Sequence, residues 1–466
     1  MPMTEQRLAR SSDLPAGGSV FLLGLAGAGM RALVPALLAR GCTVAGSDRD
    51  VSSAAELEAL GIRVHTEDDL DPVRTADLVI YSAALPADHA ALVAARAAGV
   101  PALKRARALG ALVNDHRLAA VAGTHGKTTV TTMLAVAAER ATMDPLAFVG
   151  GRVGVWDGNS RIGAGELAVV EADEYDRSFL ELDPDLAIVT SVEPEHLDTY
   201  GDVGSLEAAF ETFVSRAARV LLCADDEGAL RLGPAARPPA DVRTYGFAAG
   251  STWRLEVLDA GRGGQSCRLH GPDADVPFRL KAPGAHNAQN AAAAIAAAVW
   301  LGADPATLAT ALEDFRGADR RLQVLHESGH LVVIDDYAHH PTEVRAGIEA
   351  LRSAWPGRRL VVVFQPHLYT RTRDQASGFS EALAGADRSF VLPIYAAREA
   401  PIAGVTRDLI LAERRGLEPF EPEDVDELVH VDQPTVLAFM GAGDVTGLAH
   451  RAARAANAGR SDALGG

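Results

Sequence analysis

The sequence predicts an α/β protein of three domains, each built on a largely parallel sheet with helices packed against it. Two observations carry this. Apolar strand-like runs alternate with helix-like runs from end to end, the pattern of doubly wound sheets, and glycine turns recur where such a strand passes into a helix. The length, 466 residues, is about three times the ~150 residues of a typical domain. Hydrophobic residues at 48% and charged residues at 23% are ordinary for a globular chain and exclude a disordered one. The formal charge of −18 excludes unspecific nucleic-acid binding, which relies on clustered Lys and Arg. Cys42, Cys223 and Cys267 are scattered without metal-ligand spacing, as expected of buried thiols in a reducing compartment. The opening "MPMTEQRLARSSDLPAGG" lacks an apolar core, and "AAAAIAAAVWLGA" is too short to span a bilayer, so a cytoplasmic protein that engages no membrane is expected.

The first domain, residues 1–112, opens on "SVFLLGLAGAGMRALVPALLARG" and "CTVAGSD", a βαβ unit of Rossmann type. Its turn departs from G-x-G-x-x-G: Ala26 takes the middle position, and the glycines are Gly24, Gly27 and Gly29. A phosphate-holding turn survives while the inference of NAD weakens, and Asp48 lies about 20 residues on, where such folds place an acid against a ribose hydroxyl. The strands "ADLVIYSAAL" and "VPALK" follow, then the helix "RARALGALVNDH". The second domain, 113–316, is expected to be a doubly wound, P-loop ATPase-like sheet, with the strands "RLAAVA", "ELAVVEAD", "DLAIVTSV" and "RVLLCADD". Four alternating segments between about 242 and 282 predict a small antiparallel addition, and the helix "HNAQNAAAAIAAAVWLGA" closes the domain. The third domain, 317–466, alternates again through "HLVVIDDYAHHPTEV", "RRLVVVFQPH", "RSFVLPIY" and "PTVLAFMGAGD" and is expected to be Rossmann-like.

The chemistry centres on "GTHGKTT", Gly123, Thr124, His125, Gly126, Lys127, Thr128 and Thr129. A full P-loop needs glycine where the chain has Val121, yet the stretch sits between an apolar strand and a helix. Backbone N–H groups at such a turn hold phosphate, Lys127 neutralises it, and Thr128 reaches Mg²⁺. Further oxygen or imidazole ligands should end neighbouring strands. "VVEADEYDRSF" offers Glu171 and Asp173, and "IVTSVEPEHLDTY" offers Glu193, Glu195, His196 and Asp198. In "GAHNAQNAAAA", His286 can stack on a base and Asn290 can bond an adenine edge, with helix capping the alternative for Asn287. Arg316, Arg320 and Arg321 in "FRGADRRLQVL" suit phosphate oxygens or surface salt bridges. Tyr337, His339 and His340 in "DDYAHHPTEV", with His367 and Arg371 in "FQPHLYTRTR", read as a polar pocket for an anionic substrate; no tetrahedral ligand set points to zinc.

Taken in order, "GLAGAGM", "GTHGKTT", "VEADEYDRSF", "EPEHLDTY", "HNAQNAAAA", "RRLQVL", "DDYAHHPTEV", "FQPHLYTRT", "YAAREAPIAGV" and "GAGD" resemble the motifs of the Mur ligases across nearly the whole chain. The family is similar in its shortened GTxGKT loop. The resemblance implies an ATP-dependent, Mg²⁺-assisted amide ligase that joins L-alanine to the lactyl carboxylate of UDP-N-acetylmuramate through an acyl phosphate. It implies Lys127 on the ATP phosphates, Thr128, Glu171 and His196 on magnesium, His286, Asn287 and Asn290 on adenine, and Arg321 near the phosphates. Gly24, Gly27, Gly29, Met30, Asp48, Ser82 and Arg105 would face the uridine diphosphate, while Tyr337, His339, His367 and Arg371 would line the amino-acid pocket. His196 and His339 are the candidates for the base that deprotonates the amine, and a hinge is expected near 316 to 320.

Where the family often has Asn and Asp in a TN-x-x-x-DH stretch, this chain has Ser191 and Glu195, so neither is counted as a ligand. Leu368 stands where some members carry arginine, leaving Arg371 as the carboxylate clamp. Tyr337 and Glu343 favour the alanine ligases over the related enzymes that add a tripeptide to the same sugar nucleotide. A nucleotide-sugar sensor remains the rival from another class, while the broken G-x-G-x-x-G disfavours a dehydrogenase.

Overall fold

The computed structural model describes residues 7–464 except 50–53, 196, 262, 316–319, 398 and 415. Two compact units divide the chain, one of Met1–Glu256, Leu269–Val276 and Gln289–Leu312, the other of Val257–Arg268, Pro277–Ala288 and Glu313–Gly466.

The first unit begins with a five-stranded parallel sheet in the spatial order Arg63–His65, Thr43–Ser47, Ser19–Leu23, Leu78–Tyr81, Ala102–Lys104. The order reverses at Ser19–Leu23, so the loops leaving this strand and Leu78–Tyr81 diverge and open a crevice at their carboxyl ends. Gly24 and Ser82 start those loops. Gly24 has φ +87°, and a Cβ there would meet the Ser82 Cβ at 3.1 Å, which only glycine avoids.

A ten-stranded sheet follows. Its parallel part runs Asp241–Gly246, Arg219–Cys223, Leu186–Val189, Arg117–Ala122, Leu167–Glu171, Leu146–Val153. Asp241–Gly246, expected within the antiparallel addition, instead pairs parallel with Arg219–Cys223. Its burial does not alternate but rises along the strand, from exposed Asp241 and Val242 to buried Tyr245 and Gly246, so alternation in the sequence reports neither its packing nor its direction. Trp253–Gly261, Gly264–His270 and Asp275–Leu280 continue the sheet at that edge. At the other edge Gly158–Arg161 pairs antiparallel with Leu146–Val153, a hairpin that no sequence pattern announces. The central strands are buried on both faces: Leu118 to Ala122 and Leu186 to Val189 are fully covered. Continuous apolar runs of this kind are what a sheet covered by helices on both sides requires. Helix Lys127–Arg140 buries nearly every face, including Thr131 and Thr132, whose hydroxyls bond back to Lys127 O and Thr128 O.

The second unit carries a six-stranded sheet, Gln323–Glu327, Leu331–Asp336, Thr435–Met440, Arg359–Phe364, Arg388–Val391, Leu417–Pro419, parallel except for its first strand. Alternate residues feed opposite cores. Val332, Ile334, Val362 and Phe364 pack with Phe379 on one face; Val333, Val363, Leu437 and Phe439 pack with Val445 on the other. Helix Pro341–Ala354 starts sharply after Leu331–Asp336, with Pro341 at its first position and the His340 ring accepting from Thr342 N.

Candidate active site

Strand Arg117–Ala122 ends in a loop whose two glycines are obligatory. Gly123 has φ +134°, and a Cβ there would lie 2.1 Å from Thr190 Oγ1; Gly126 has φ +79°, and a Cβ there would lie 2.7 Å from Asn290 Oδ1. The strand end 190–193 pins what lies between. Thr124 N donates to Ser191 O at 2.9 Å, His125 N to Ser191 Oγ at 3.0 Å, and Glu193 N to Thr124 Oγ1 at 2.8 Å. The His125 ring sits 3.5 Å from the Glu193 carboxylate. The Ser191 hydroxyl thus helps to hold the loop. With the loop fixed, the first N–H groups of helix Lys127–Arg140 have no partner within the helix, an arrangement that suits an anion.

Two acids from the end of strand Leu167–Glu171 meet this loop. Thr128 Oγ1 donates to Glu171 Oε1 at 2.9 Å, and Gly150 N donates to Glu171 Oε2 at 2.6 Å. Lys127 Nζ donates to Gly123 O at 2.5 Å, to Thr124 O at 3.2 Å, and pairs with the Glu174 carboxylate at 2.8 Å. Burial alone would depress the lysine, but Glu174, Asp173 and Glu171 outweigh it and hold the ammonium above its ordinary range. Burial pushes Glu171 up against the pull of Lys127, so its carboxylate gains from any added cation.

A cavity of about 250 Å³ joins this region to the first sheet. Gly27, Gly29, Met30, Ser82 and Arg105 line one side, and Phe148, Val149, Gly150, Glu171 and Asp173 the other. Five of the residues assigned to the uridine-nucleotide substrate thus converge, and Glu171 closes their pocket. A Cβ at Gly29 would come within 3.1 Å of the Arg105 guanidinium, so any larger residue there would displace the arginine side chain. Asp48 accepts from Ala26 N at 2.9 Å and so braces the glycine turn from the neighbouring strand.

The second unit collects its residues at the carboxyl ends of three adjacent strands. Tyr337 lies under two guanidiniums, Arg320 at 4.6 Å and Arg321 at 5.2 Å from its ring centre. Arg320 is tied to Gly441 O and Gly443 O, while Arg321 sits 3.5 Å from Glu343. The His339 ring meets Tyr337 O at 2.9 Å and stands edge-on to His367, ring centres 6.0 Å apart. His367 in turn stacks on Tyr395 and contacts Arg371 at 3.3 Å. Tyr337, His339, His367 and Arg371 therefore form one cluster. Asp336, at the end of the strand, is buried, and that burial pushes its carboxyl to about 7 despite Arg321. His286 is pulled down to about 4 by burial and by Arg321, so its ring is neutral at physiological pH. Asn287 Nδ2 donates to Pro283 O at 2.7 Å, a bond to the turn before the helix that caps none of its N–H groups, while Asn290 faces the phosphate loop.

His196, Arg316 and most of the 316 to 320 hinge lie outside the described residues. Sequence reasoning missed Glu174, Phe148, Val149, Tyr395 and Glu399. Glu399 accepts from Thr370 N at 3.0 Å and caps the helix Tyr369–Leu383 that carries Arg371. Glu174 and Tyr395 stand inside motifs quoted above, but spacing along the chain gives no sign of what they touch.

The profiles of three Mur ligase domains match the chain in succession: the Mur ligase family catalytic domain over residues 20–117, the middle domain over 121–298 and the glutamate ligase domain over 320–443. A UDP-N-acetylmuramate–L-alanine ligase of Renibacterium salmoninarum is 42% identical over 437 residues, covering 92% of this chain and 94% of its own. That of Thermobifida fusca is 42% identical over 452 residues, covering 93% and 96%. Among solved structures, the UDP-N-acetylmuramate-alanine ligase of Thermotoga maritima superposes with a TM-score of 0.80 at 30% identity, over 95% of this chain and all of that one. A murein peptide ligase of Psychrobacter arcticus, 22% identical with a TM-score of 0.69 over 94% and 99%, shares the fold.

Proposed function

The chain belongs to the Mur ligase family, and we propose that it joins L-alanine to the lactyl carboxylate of UDP-N-acetylmuramate with consumption of ATP, a step in building peptidoglycan precursors. The observation that carries this reading is the cavity in which Gly27, Gly29, Met30, Ser82 and Arg105 meet Glu171, beside the Lys127 loop. It sets a site for an anionic substrate against a site for phosphate. The names of the relatives at 42% identity support L-alanine as the amino acid.

In this proposal a lactyl carboxylate oxygen attacks the γ-phosphorus of ATP, ADP leaves, and an acyl phosphate forms. The free amine of L-alanine then attacks that carbonyl, and phosphate departs as the amide closes. Lys127 and the helix N-terminus behind it stabilise the charge spread over the transferring phosphoryl group. The residues present fit a hard divalent cation: Thr128 Oγ1 and Glu171 Oε1 are oxygen donors already 2.9 Å apart, with Glu171 braced by Gly150 N. Thr128 and Glu171, with His196, would hold Mg²⁺, which when bound shares the triphosphate charge and polarises the phosphoryl oxygens. Arg105 orients the sugar nucleotide, and neutral His286 with Asn290 receives adenine. Arg371, held by His367, clamps the carboxylate of alanine while His339 and Tyr337 shape the space for its amine and methyl group.

The test is phosphate release from ATP with UDP-N-acetylmuramate present and amino acids or the stem tripeptide offered singly. Release that requires both the sugar nucleotide and L-alanine is expected. Release with the tripeptide alone would move the enzyme to the recycling ligases, and steady turnover without any acceptor would return the sensor reading.

A further inference from the structure

Lys127 has three N–H donors, and all three are engaged within the protein: Gly123 O at 2.5 Å, Thr124 O at 3.2 Å and Glu174 Oε1 at 2.9 Å. Two of these acceptors are carbonyls of the phosphate loop itself, while the third is an anion. A phosphate oxygen that recruits the ammonium therefore replaces the anion, because the carbonyls travel with the loop. We propose that Glu174 is a positioning residue that stows Lys127 in the nucleotide-free protein and yields it only when an incoming phosphate takes its place, so that nucleotide affinity is set by a buried exchange of anions.

The surroundings of Glu174 hold it to this role. Its side chain is 3% exposed and that of Lys127 13%, so water does not screen the pair. The Glu174 backbone is fixed from two sides: Tyr200 Oη donates to its carbonyl at 2.6 Å, and Arg177 N donates to the same oxygen at 3.0 Å. Arg177 also stacks over the Tyr200 ring at 5.0 Å. The chain accepts strain to make this turn, since Asp176 and Arg177 both take left-handed backbone angles, φ 52° and 56°, rare in residues other than glycine. Glu171, three positions earlier, engages Thr128 in the same way. One strand end thus engages both phosphate-side groups of the loop, one acid on the hydroxyl and one on the ammonium. Glu171 would hold the metal when nucleotide is bound. Glu174, its side chain 3% exposed, has no water to turn to, and it remains as the charge that competes with the phosphate.

The inference rests on Lys127 serving phosphate but not on the identity of the acceptor, so it is tested by binding alone. Calorimetric titration of the full chain with Mg²⁺ and a non-hydrolysable ATP analogue compares wild type with Glu174→Gln and Glu174→Asp. Glutamine keeps the shape and removes the competing charge, and the analogue is expected to bind about tenfold tighter or more, the lower end of couplings between close charge pairs. Aspartate, one methylene shorter, is expected to shift affinity in the same direction by less. A merely structural role gives the opposite sign, because a disordered loop binds nucleotide more weakly. Unchanged or weaker binding in Glu174→Gln overturns the proposal; if that variant does not fold, the Glu174→Asp affinity decides by the same rule. Loss of alanine ligation with tighter analogue binding intact would instead strike at the proposed function.

Discussion

Replacing Lys127 by methionine is expected to destabilise the central domain by more than the lost contact contributes. The lysine and Glu174 are both buried and 2.8 Å apart. Removing one member of such a pair leaves the other charge without compensation, at a cost of about 3–5 kcal/mol. For a domain of 150–250 residues, each kcal/mol lowers the melting temperature by roughly 2–4 °C, so a drop of roughly 6–20 °C is expected. The loss should depend on pH with a defined sign. Burial already pushes Glu174 up to about 7 in the presence of the lysine, and without it the folded state favours the neutral acid further. Both proteins lose stability as pH rises from about 4.5, where the unfolded glutamate ionises, to about 7; above about 7 wild type levels off while the variant, whose folded acid still holds its proton, continues to fall, so the destabilisation grows there. The double variant Lys127→Met with Glu174→Gln replaces both charges by neutral groups of similar size and should recover most of the stability, while ligation stays depressed by about 10²-fold or more for want of the cation. Thermal unfolding of the nucleotide-free protein across pH 5 to 8, with phosphate release measured alongside, separates the two effects. A single variant that melts with the wild type at pH 8 would refute the reasoning.

Asp336 should make the third domain less stable as pH rises. Its folded carboxyl is pushed to about 7 by burial, against about 4 in the unfolded chain, so between those values the folded state binds more protons and stability falls with a limiting slope of about 1.4 kcal/mol per pH unit. Asp336→Asn should flatten that slope in a pH series of thermal unfolding, and an unchanged slope would assign it elsewhere. Arg105→Ala removes a guanidinium from the cavity wall. A charge-assisted hydrogen bond is worth about 1.5–3 kcal/mol, so KM for UDP-N-acetylmuramate is expected to rise roughly 10- to 150-fold. The KM for ATP should hold, and an equal rise in both would remove Arg105 from the sugar-nucleotide site.

The three sheets, their flanking helices and the strand ends that carry the chemistry were legible in the sequence, because buried parallel strands read as apolar runs and glycine marks the turns between them. Strand direction was not: Asp241–Gly246, read within an antiparallel addition, pairs parallel with Arg219–Cys223. Gly27, Gly29, Met30, Ser82 and Arg105 could be assigned together only through a family resemblance; the structure brings them to one cavity. Glu174 shows the limit. It lies 47 residues from Lys127, and "EADEYD" contains four acids whose spacing does not distinguish a lysine's partner from a solvated side chain. What distinguishes Glu174 is burial, and burial is a property of the turn after the strand, which depends on two left-handed residues with no glycine to announce them.

The shortened phosphate loop follows from sheet register. A full P-loop would begin with glycine at 121, but Val121 is still strand: it is fully buried, pairs with Ile188 on one side and sits opposite Glu171 on the other. The loop can therefore open only at Gly123, where the close approach of Thr190 demands glycine. The same register places Glu171 beside the loop's exit, within reach of Thr128. Side chains alternate between faces of a strand, so a slip of one residue in the pairing of Leu167–Glu171 would bring Val170 or Ala172 to that position and turn the acid to the opposite face. The missing glycine and the carboxylate beside Thr128 are thus two consequences of one pairing, and a chain that restored the glycine at 121 would loosen the strand that fixes the carboxylate.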